Sequence, residues 1–166
     1  MFFESKENIE KQVAEYLRNT GQTVVTTWDR RFLEMATLTS SWSKDESTKC
    51  GAVIVDQKRR VVSLGYNGFP RGVLDDPVRL NNRDEKYRYV VHAELNAILA
   101  APSSVAGCTI YVMPFPPCCD CAKAIIQSGI AKVVCPAEYP ERWKESIEAA
   151  ETMFGEAGVE LVKVLA

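Results

Sequence analysis

Thr109-Ile110-Tyr111-Val112-Met113-Pro114-Phe115-Pro116-Pro117-Cys118-Cys119-Asp120-Cys121-Ala122-Lys123-Ala124-Ile125-Ile126-Gln127-Ser128-Gly129-Ile130-Ala131-Lys132-Val133-Val134-Cys135 is where the fold declares itself. Residues 109–113 form a short apolar run of strand type, ended by prolines. Residues 118–128 read as a helix closed by Gly129, and residues 132–135 as the next strand. Strand, helix and strand in succession mark a layered α/β architecture.

The same alternation extends outward. Residues 50–55 are a short apolar run that reads as a buried strand. Lys58-Arg59-Arg60 is a polar, solvated turn, and residues 61–66 form the partner strand of a hairpin. Asn67-Gly68-Phe69-Pro70-Arg71-Gly72 is a loop dense in turn residues. Residues 73–89 are polar and read as irregular. A helix spans about 93–101 and stops before Pro102. Residues 141–156 read as a helix and 159–164 as a last strand. Upstream, a helix over 5–19 is expected, with Ser5 as its cap and Ile9, Val13, Tyr16 and Leu17 as an apolar stripe. Gly21 ends it. A second helix opens at Thr27 or Asp29 and carries Phe32, Leu33, Met35, Ala36 and Leu38. The expected fold is a three-layer α/β/α sandwich around one mixed sheet. Residues 1–166 form a single domain, of which 1–27 are an N-terminal helical extension.

Composition narrows the class. With 166 residues, 46% hydrophobic and 25% charged, the chain resembles a soluble globular protein able to bury a core without staples. A net charge of −2 lacks the basic footprint of a duplex or long-strand nucleic-acid binder. It leaves room for a single nucleotide, whose phosphate needs only a few local donors. No apolar run approaches a membrane span, and the first residues lack the pattern of a secretory leader. Six cysteines in a chain of this size point to a reduced, cytoplasmic setting, or host cytoplasm if the source is viral.

Two motifs carry the chemistry. The only histidine stands in His92-Ala93-Glu94, and Pro117-Cys118-Cys119-Asp120-Cys121 lies downstream. Both fall at the start of an expected helix, where unpaired N–H groups and the helix dipole favour a thiolate. One imidazole and two thiolates, from His92, Cys118 and Cys121, make a three-ligand zinc site that keeps its fourth position for water. Cys119 is a rival ligand, but Cys118 and Cys121 have the better spacing. Glu94, two residues past His92, faces the water from the side and acts as the general acid/base. A structural zinc would need a fourth protein ligand, and none is evident. Cys50, Cys108 and Cys135 lie in or beside apolar strands and read as small buried hydrophobes. The pattern His-x-Glu followed by Pro-Cys-x-x-Cys is the signature of zinc nucleobase deaminases.

At these residues the sequence resembles the cytidine deaminase superfamily, and within it the deoxycytidylate (dCMP) deaminases. The matching segments begin with Ser43-Lys44-Asp45, Cys50-Gly51-Ala52-Val53-Ile54-Val55 and Gly65-Tyr66-Asn67-Gly68-Phe69-Pro70-Arg71-Gly72. They continue with Tyr89-Val90-Val91-His92-Ala93-Glu94-Leu95-Asn96-Ala97-Ile98 and with residues 118–129. The resemblance implies a five-stranded sheet flanked by helices, one Zn2+ per chain, and conversion of dCMP to dUMP for thymidylate synthesis. It implies a homo-oligomer, often a hexamer, activated by dCTP and inhibited by dTTP bound with Mg2+ near the Gly-Tyr-Asn-Gly loop. By the same resemblance Asn67 contacts the sugar, Ala93 offers its backbone N–H to the base, and Tyr139 lies near the nucleotide. Lys44 and Arg71 are candidates for phosphate or effector contacts. Two alternatives stand beside this reading. One is a deaminase of another cytosine nucleotide, such as dCTP or a 5-substituted dCMP. The other is an inactive nucleotide-binding regulator, against which the intact Glu94 argues. A polynucleotide-editing enzyme would need a basic groove, which the charge opposes.

Overall fold

The computed structural model describes Gln12 and residues 24–165. Apart from Gln12, the helix expected over 5–19 lies outside the described residues. The first helix, α1 (Thr27–Ser40), starts at a reciprocal cap. The Asp29 N–H donates to Thr26 Oγ1 at 3.1 Å, and the Thr26 N–H donates to Asp29 Oδ2 at 2.8 Å. Asp29 is therefore the third residue of the helix and not its opening.

Five strands follow: β1 (Gly51–Val55), β2 (Val61–Tyr66), β3 (Thr109–Met113), β4 (Lys132–Pro136) and β5 (Glu160–Val164). They form one sheet in the order β2-β1-β3-β4-β5. The β1 strand is antiparallel to both β2 and β3, while β3, β4 and β5 run parallel, so the sheet is mixed as expected. The hairpin turn is less passive than the sequence suggests. Arg59 adopts a left-handed φ of 63°, and its guanidinium lies 5.0 Å from the Trp28 ring centroid.

Alternation along the strands divides the core into two layers. On one face Val53, Val55, Tyr111, Val134 and Val162 pack against Phe32, Leu33 and Ala36 of α1. On the other, Ala52, Ile54, Ile110, Val133 and Cys135 pack against residues of α4 (Ala93–Ala100), α5 (Cys119–Gln127) and α6 (Lys144–Ala157). The three-layer sandwich is thereby realised. A 3-10 turn, Glu141–Trp143, precedes α6, so the expected single helix over 141–156 is two elements.

One expectation is corrected. Residues 73–89 are not irregular but hold two short helices, α2 (Pro77–Asn81) and α3 (Arg83–Tyr89). Asp76 caps α2, accepting from the Val78 N–H, with Pro77 at the first helical position. Asn82 caps α3, accepting from the Glu85 N–H at 3.1 Å. The helices escaped a pattern search because they bury almost nothing: α2 has no buried residue, and α3 has only Lys86.

Helix α4 lies unusually near the hairpin. A Cβ built on Gly65 would stand 2.2 Å from the Ala93 carbonyl oxygen and 2.4 Å from the Ala97 nitrogen. Only glycine permits this approach. The Ser63 hydroxyl donates to the Ala97 carbonyl at 2.5 Å, and the Asn96 side chain donates to the Tyr66 carbonyl at 2.7 Å. These contacts anchor the helix whose first turn carries His92 and Glu94.

Candidate metal and nucleotide site

His92 and Cys118 are the cap residues of α4 and α5, neither using its side chain as a cap. Both side chains are thereby left free for other work at the positive ends of two helices. Cys121 follows on the buried face of α5, beside Ala122 and Ile125. The result is a compact cluster. His92 Nδ1 lies 3.4 Å from Cys118 Sγ and 3.3 Å from Cys121 Sγ. The potential ligand atoms of the three residues lie within 4.8 Å of one another. Cys119 takes no part in this group; its N–H donates to Ser146 Oγ at 3.1 Å.

The donor set fits zinc. Two sulfurs and one imidazole suit this borderline-soft ion, and three protein ligands leave a position open. Without a metal, only one of the three donors is held in the deprotonated form a ligand needs. The hydrogen bond from Cys121 holds the Cys118 thiol down to about 4, while the bond to Cys118 and burial push Cys121 up. The Cys118 bond also raises His92 to about 9. Metal entry would displace these protons.

Glu94 is 5% exposed and borders the same pocket as His92 and Cys118. Burial pushes its carboxyl pKa up, against the pull of His92. A carboxyl so raised is suited to hold and release a proton. Cys50 also borders this pocket, so it is a site wall as well as a core filler. Burial pushes its thiol up to about 12, which keeps it inert. Cys108 and Cys135 are buried as expected.

Asn67 is 6% exposed and lines the pocket. Its side-chain oxygen accepts from the Cys50 N–H at 2.8 Å, and its amide donates to the Thr48 carbonyl at 2.8 Å. One amide N–H and one lone pair remain for a ligand. Ala93 is fully buried, and as the first residue of α4 its N–H has no acceptor within the helix. The chain just before it is clamped to the loop, with Gly68 and Val91 exchanging backbone hydrogen bonds at 3.1 and 2.8 Å.

Residues 26–137 match the family described as "Cytidine and deoxycytidylate deaminase zinc-binding region". The chain belongs to this family. It is 47% identical over 141 residues to an uncharacterized deaminase in the luxG 3′ region of Aliivibrio fischeri, covering 83% of this chain and 94% of that one. It is 42% identical over 146 residues to human deoxycytidylate deaminase, covering 83% and 80%. Its fold is similar to the crystal structure of dCMP deaminase from cyanophage S-TIM5 in complex with dCMP and dUMP. There the TM-score is 0.67 and the identity 27%, with 86% of this chain and 100% of the other covered.

Within this deaminase fold the expected site residues do not all converge. His92, Glu94, Cys118 and Asn67 share one pocket. Tyr139 instead borders a separate cavity of about 680 Å³ with Arg30 and Met113; Phe115 faces both spaces. Lys44 lines the adjoining cavity together with Asn67 and Gly68 and is ion-paired with Asp75. Arg71 is exposed on its loop and lines none of these spaces.

The structure adds residues that motif reading passed over. Lys86 and Asp45 form an ion pair at 2.8 Å, with side chains 8% and 7% exposed, in the pocket wall. Lys86 Nζ also donates to Ser47 Oγ at 2.6 Å. Trp143 and Tyr87 supply aromatic walls. The Asn82 cap with Glu85 three residues on was the signal that could have placed Lys86 on a helix.

Proposed function

We propose that this protein hydrolyses dCMP to dUMP and ammonia, with zinc held by His92, Cys118 and Cys121. The observation that carries the reading is a buried carboxylate, Glu94, in one pocket with His92 and Cys118, which cluster with Cys121 as one imidazole and two sulfurs. Similarity to human deoxycytidylate deaminase supports dCMP as the substrate. Zinc, when bound, supplies Lewis-acid activation of a water.

The chain's residues do the rest. Glu94 takes a proton from the water as its oxygen bonds to C4 of the cytosine ring. It delivers that proton to N3. It then assists transfer of a second proton to the exocyclic amine, the C4–N4 bond breaks, and ammonia departs. Asn67, through its spare N–H and lone pair, holds the sugar, and the Ala93 N–H holds the base. The dUMP formed would serve thymidylate synthesis.

The test is ammonia release measured across cytidine, deoxycytidine, CMP, dCMP and dCTP. Turnover led by dCMP is expected. Turnover led by dCTP would move the assignment to another cytosine nucleotide. The same reading includes activation by dCTP and inhibition by dTTP, with Mg2+ on the triphosphate and a homo-oligomeric enzyme. Rate curves for dCMP that do not change with either effector would remove the regulatory part.

A further inference from the structure

We propose that the buried Asp45–Lys86 pair positions Asn67, fixing the aim of its amide into the pocket while making no contact with the nucleotide itself. This assignment rests on the substrate reading above and deepens it, because it names two residues that act through the group given to the sugar.

Lys86 borders the pocket of His92 and Glu94, yet its donors are all engaged within the protein. An ammonium carries three N–H groups. Lys86 Nζ lies 2.8 Å from Asp45 Oδ2 and 3.0 Å from Asp45 Oδ1, and it donates to Ser47 Oγ at 2.6 Å. Three acceptor atoms therefore face three donors, and the ammonium acts as a tie between α3 and the turn at residues 45–48. It is the only tie of its kind, since Lys86 is the one buried residue of α3.

Asp45 carries the constraint onward. Its Oδ1 accepts from the Ser47 N–H at 2.9 Å, the Ser47 hydroxyl at 2.7 Å and the Thr48 N–H at 3.2 Å. The Thr48 carbonyl at the end of this turn accepts from the Asn67 amide, and the Cys50 N–H two residues on donates to the Asn67 side-chain oxygen. Both ends of the Asn67 amide are thus aimed by the segment that Asp45 holds. The circuit closes through the next residue. Gly68 exchanges backbone hydrogen bonds with Val91, and the Val90 N–H donates to the Lys86 carbonyl at 2.9 Å. Hydrogen bonds linked in this way act as a unit, so opening the circuit at Lys86 frees Asn67 to turn.

The experiment is a double-mutant cycle on dCMP turnover by the zinc-loaded enzyme. Lys86→Met keeps the apolar stem and removes the charge. It should raise KM about tenfold and change kcat less than about threefold, as loss of a binding contact predicts. Asn67→Ala should raise KM at least as much. The combined Lys86→Met/Asn67→Ala variant should be no worse than Asn67→Ala alone, because Lys86 acts through Asn67. A single change leaves a buried charge without its partner, so Asp45→Asn/Lys86→Met enters the same cycle as the variant that removes both. It should melt close to the wild type and still show the raised KM, a split that a purely structural role would not give. A wild-type KM in that variant overturns the proposal. So does a combined variant clearly worse than Asn67→Ala, since Lys86 would then act independently of Asn67. Loss of zinc on metal analysis also overturns it, by placing the damage at His92. Absence of dCMP turnover in the wild type instead removes the substrate reading.

Discussion

Gly65 and Ala93 meet so closely that a single methyl group on Gly65 would stand 2.2 Å from the Ala93 carbonyl oxygen. The obstacle is backbone on a helix, so it cannot rotate away. Gly65→Ala should force α4 off the hairpin and displace His92 and Glu94 with it. The expected cost is about 1–3 kcal/mol of stability, together with weaker zinc retention. Thermal melting and metal analysis of the purified variant check both. A variant that melts as the wild type does would show that α4 is not held by this contact.

Glu94→Gln keeps the shape of a buried side chain and removes its ability to accept a proton. Turnover of dCMP should fall by at least about 100-fold. Zinc content and nucleotide binding should persist, and stability should not drop, because a neutral amide is easier to bury than a carboxylate. Ammonia release, zinc stoichiometry and calorimetric nucleotide binding together decide it. Retained ammonia release would remove Glu94 from the proton path.

Cys118→Ser and Cys121→Ser should each abolish zinc binding at stoichiometric levels, while Cys119→Ser should not. The contrast follows from geometry, since Cys118 and Cys121 lie 3.4 and 3.3 Å from His92 Nδ1 and Cys119 stands outside the group. Chelator treatment of the wild type should lower its melting temperature, because a metal that binds only the folded chain stabilises it. Zinc loss in Cys119→Ser alone would reverse the ligand assignment.

The ion pair of Asp45 and Lys86 predicts a particular acid response. Burial raises the Asp45 carboxyl, but hydrogen bonds from Lys86, Ser47 and Thr48 outweigh it, so its pKa lies below the usual carboxylate range. A depressed folded-state pKa contributes stability above the unfolded value of about 3.9, and that contribution is lost as pH falls through the folded value. The wild type should therefore lose this increment only below about pH 4. Asp45→Asn leaves Lys86 buried without its counter-charge and should cost about 3–5 kcal/mol at neutral pH. Its stability should also fall less steeply in acid. Denaturant melts at pH 3 to 7 measure both effects.

Much of this was legible in one dimension. The hairpin, the alternating strands and helices and the helix starting at Ala93 rest on periodicity and turn chemistry, which act over a few residues. The cluster of three candidate donors was legible because zinc chemistry restricts residue type and spacing together. The helices α2 and α3 were not legible by stripe, since solvent-exposed turns leave no apolar period; only the caps Asp76 and Asn82 marked them.

The sequence by itself determined the layered α/β class, the candidate metal donors and the carboxylate beside them, because each is encoded by local pattern or by side-chain chemistry. Tertiary structure alone decided which charges remain available. The fold places Asp75 opposite Lys44 and Asp45 opposite Lys86, whereas Arg83 and Arg142 meet aromatic rings. Asp75 is 31 residues from Lys44 and Asp45 is 41 from Lys86. A residue's charge is written in the chain, but its neutralisation depends on contacts across such distances, and those exist only once the chain has folded.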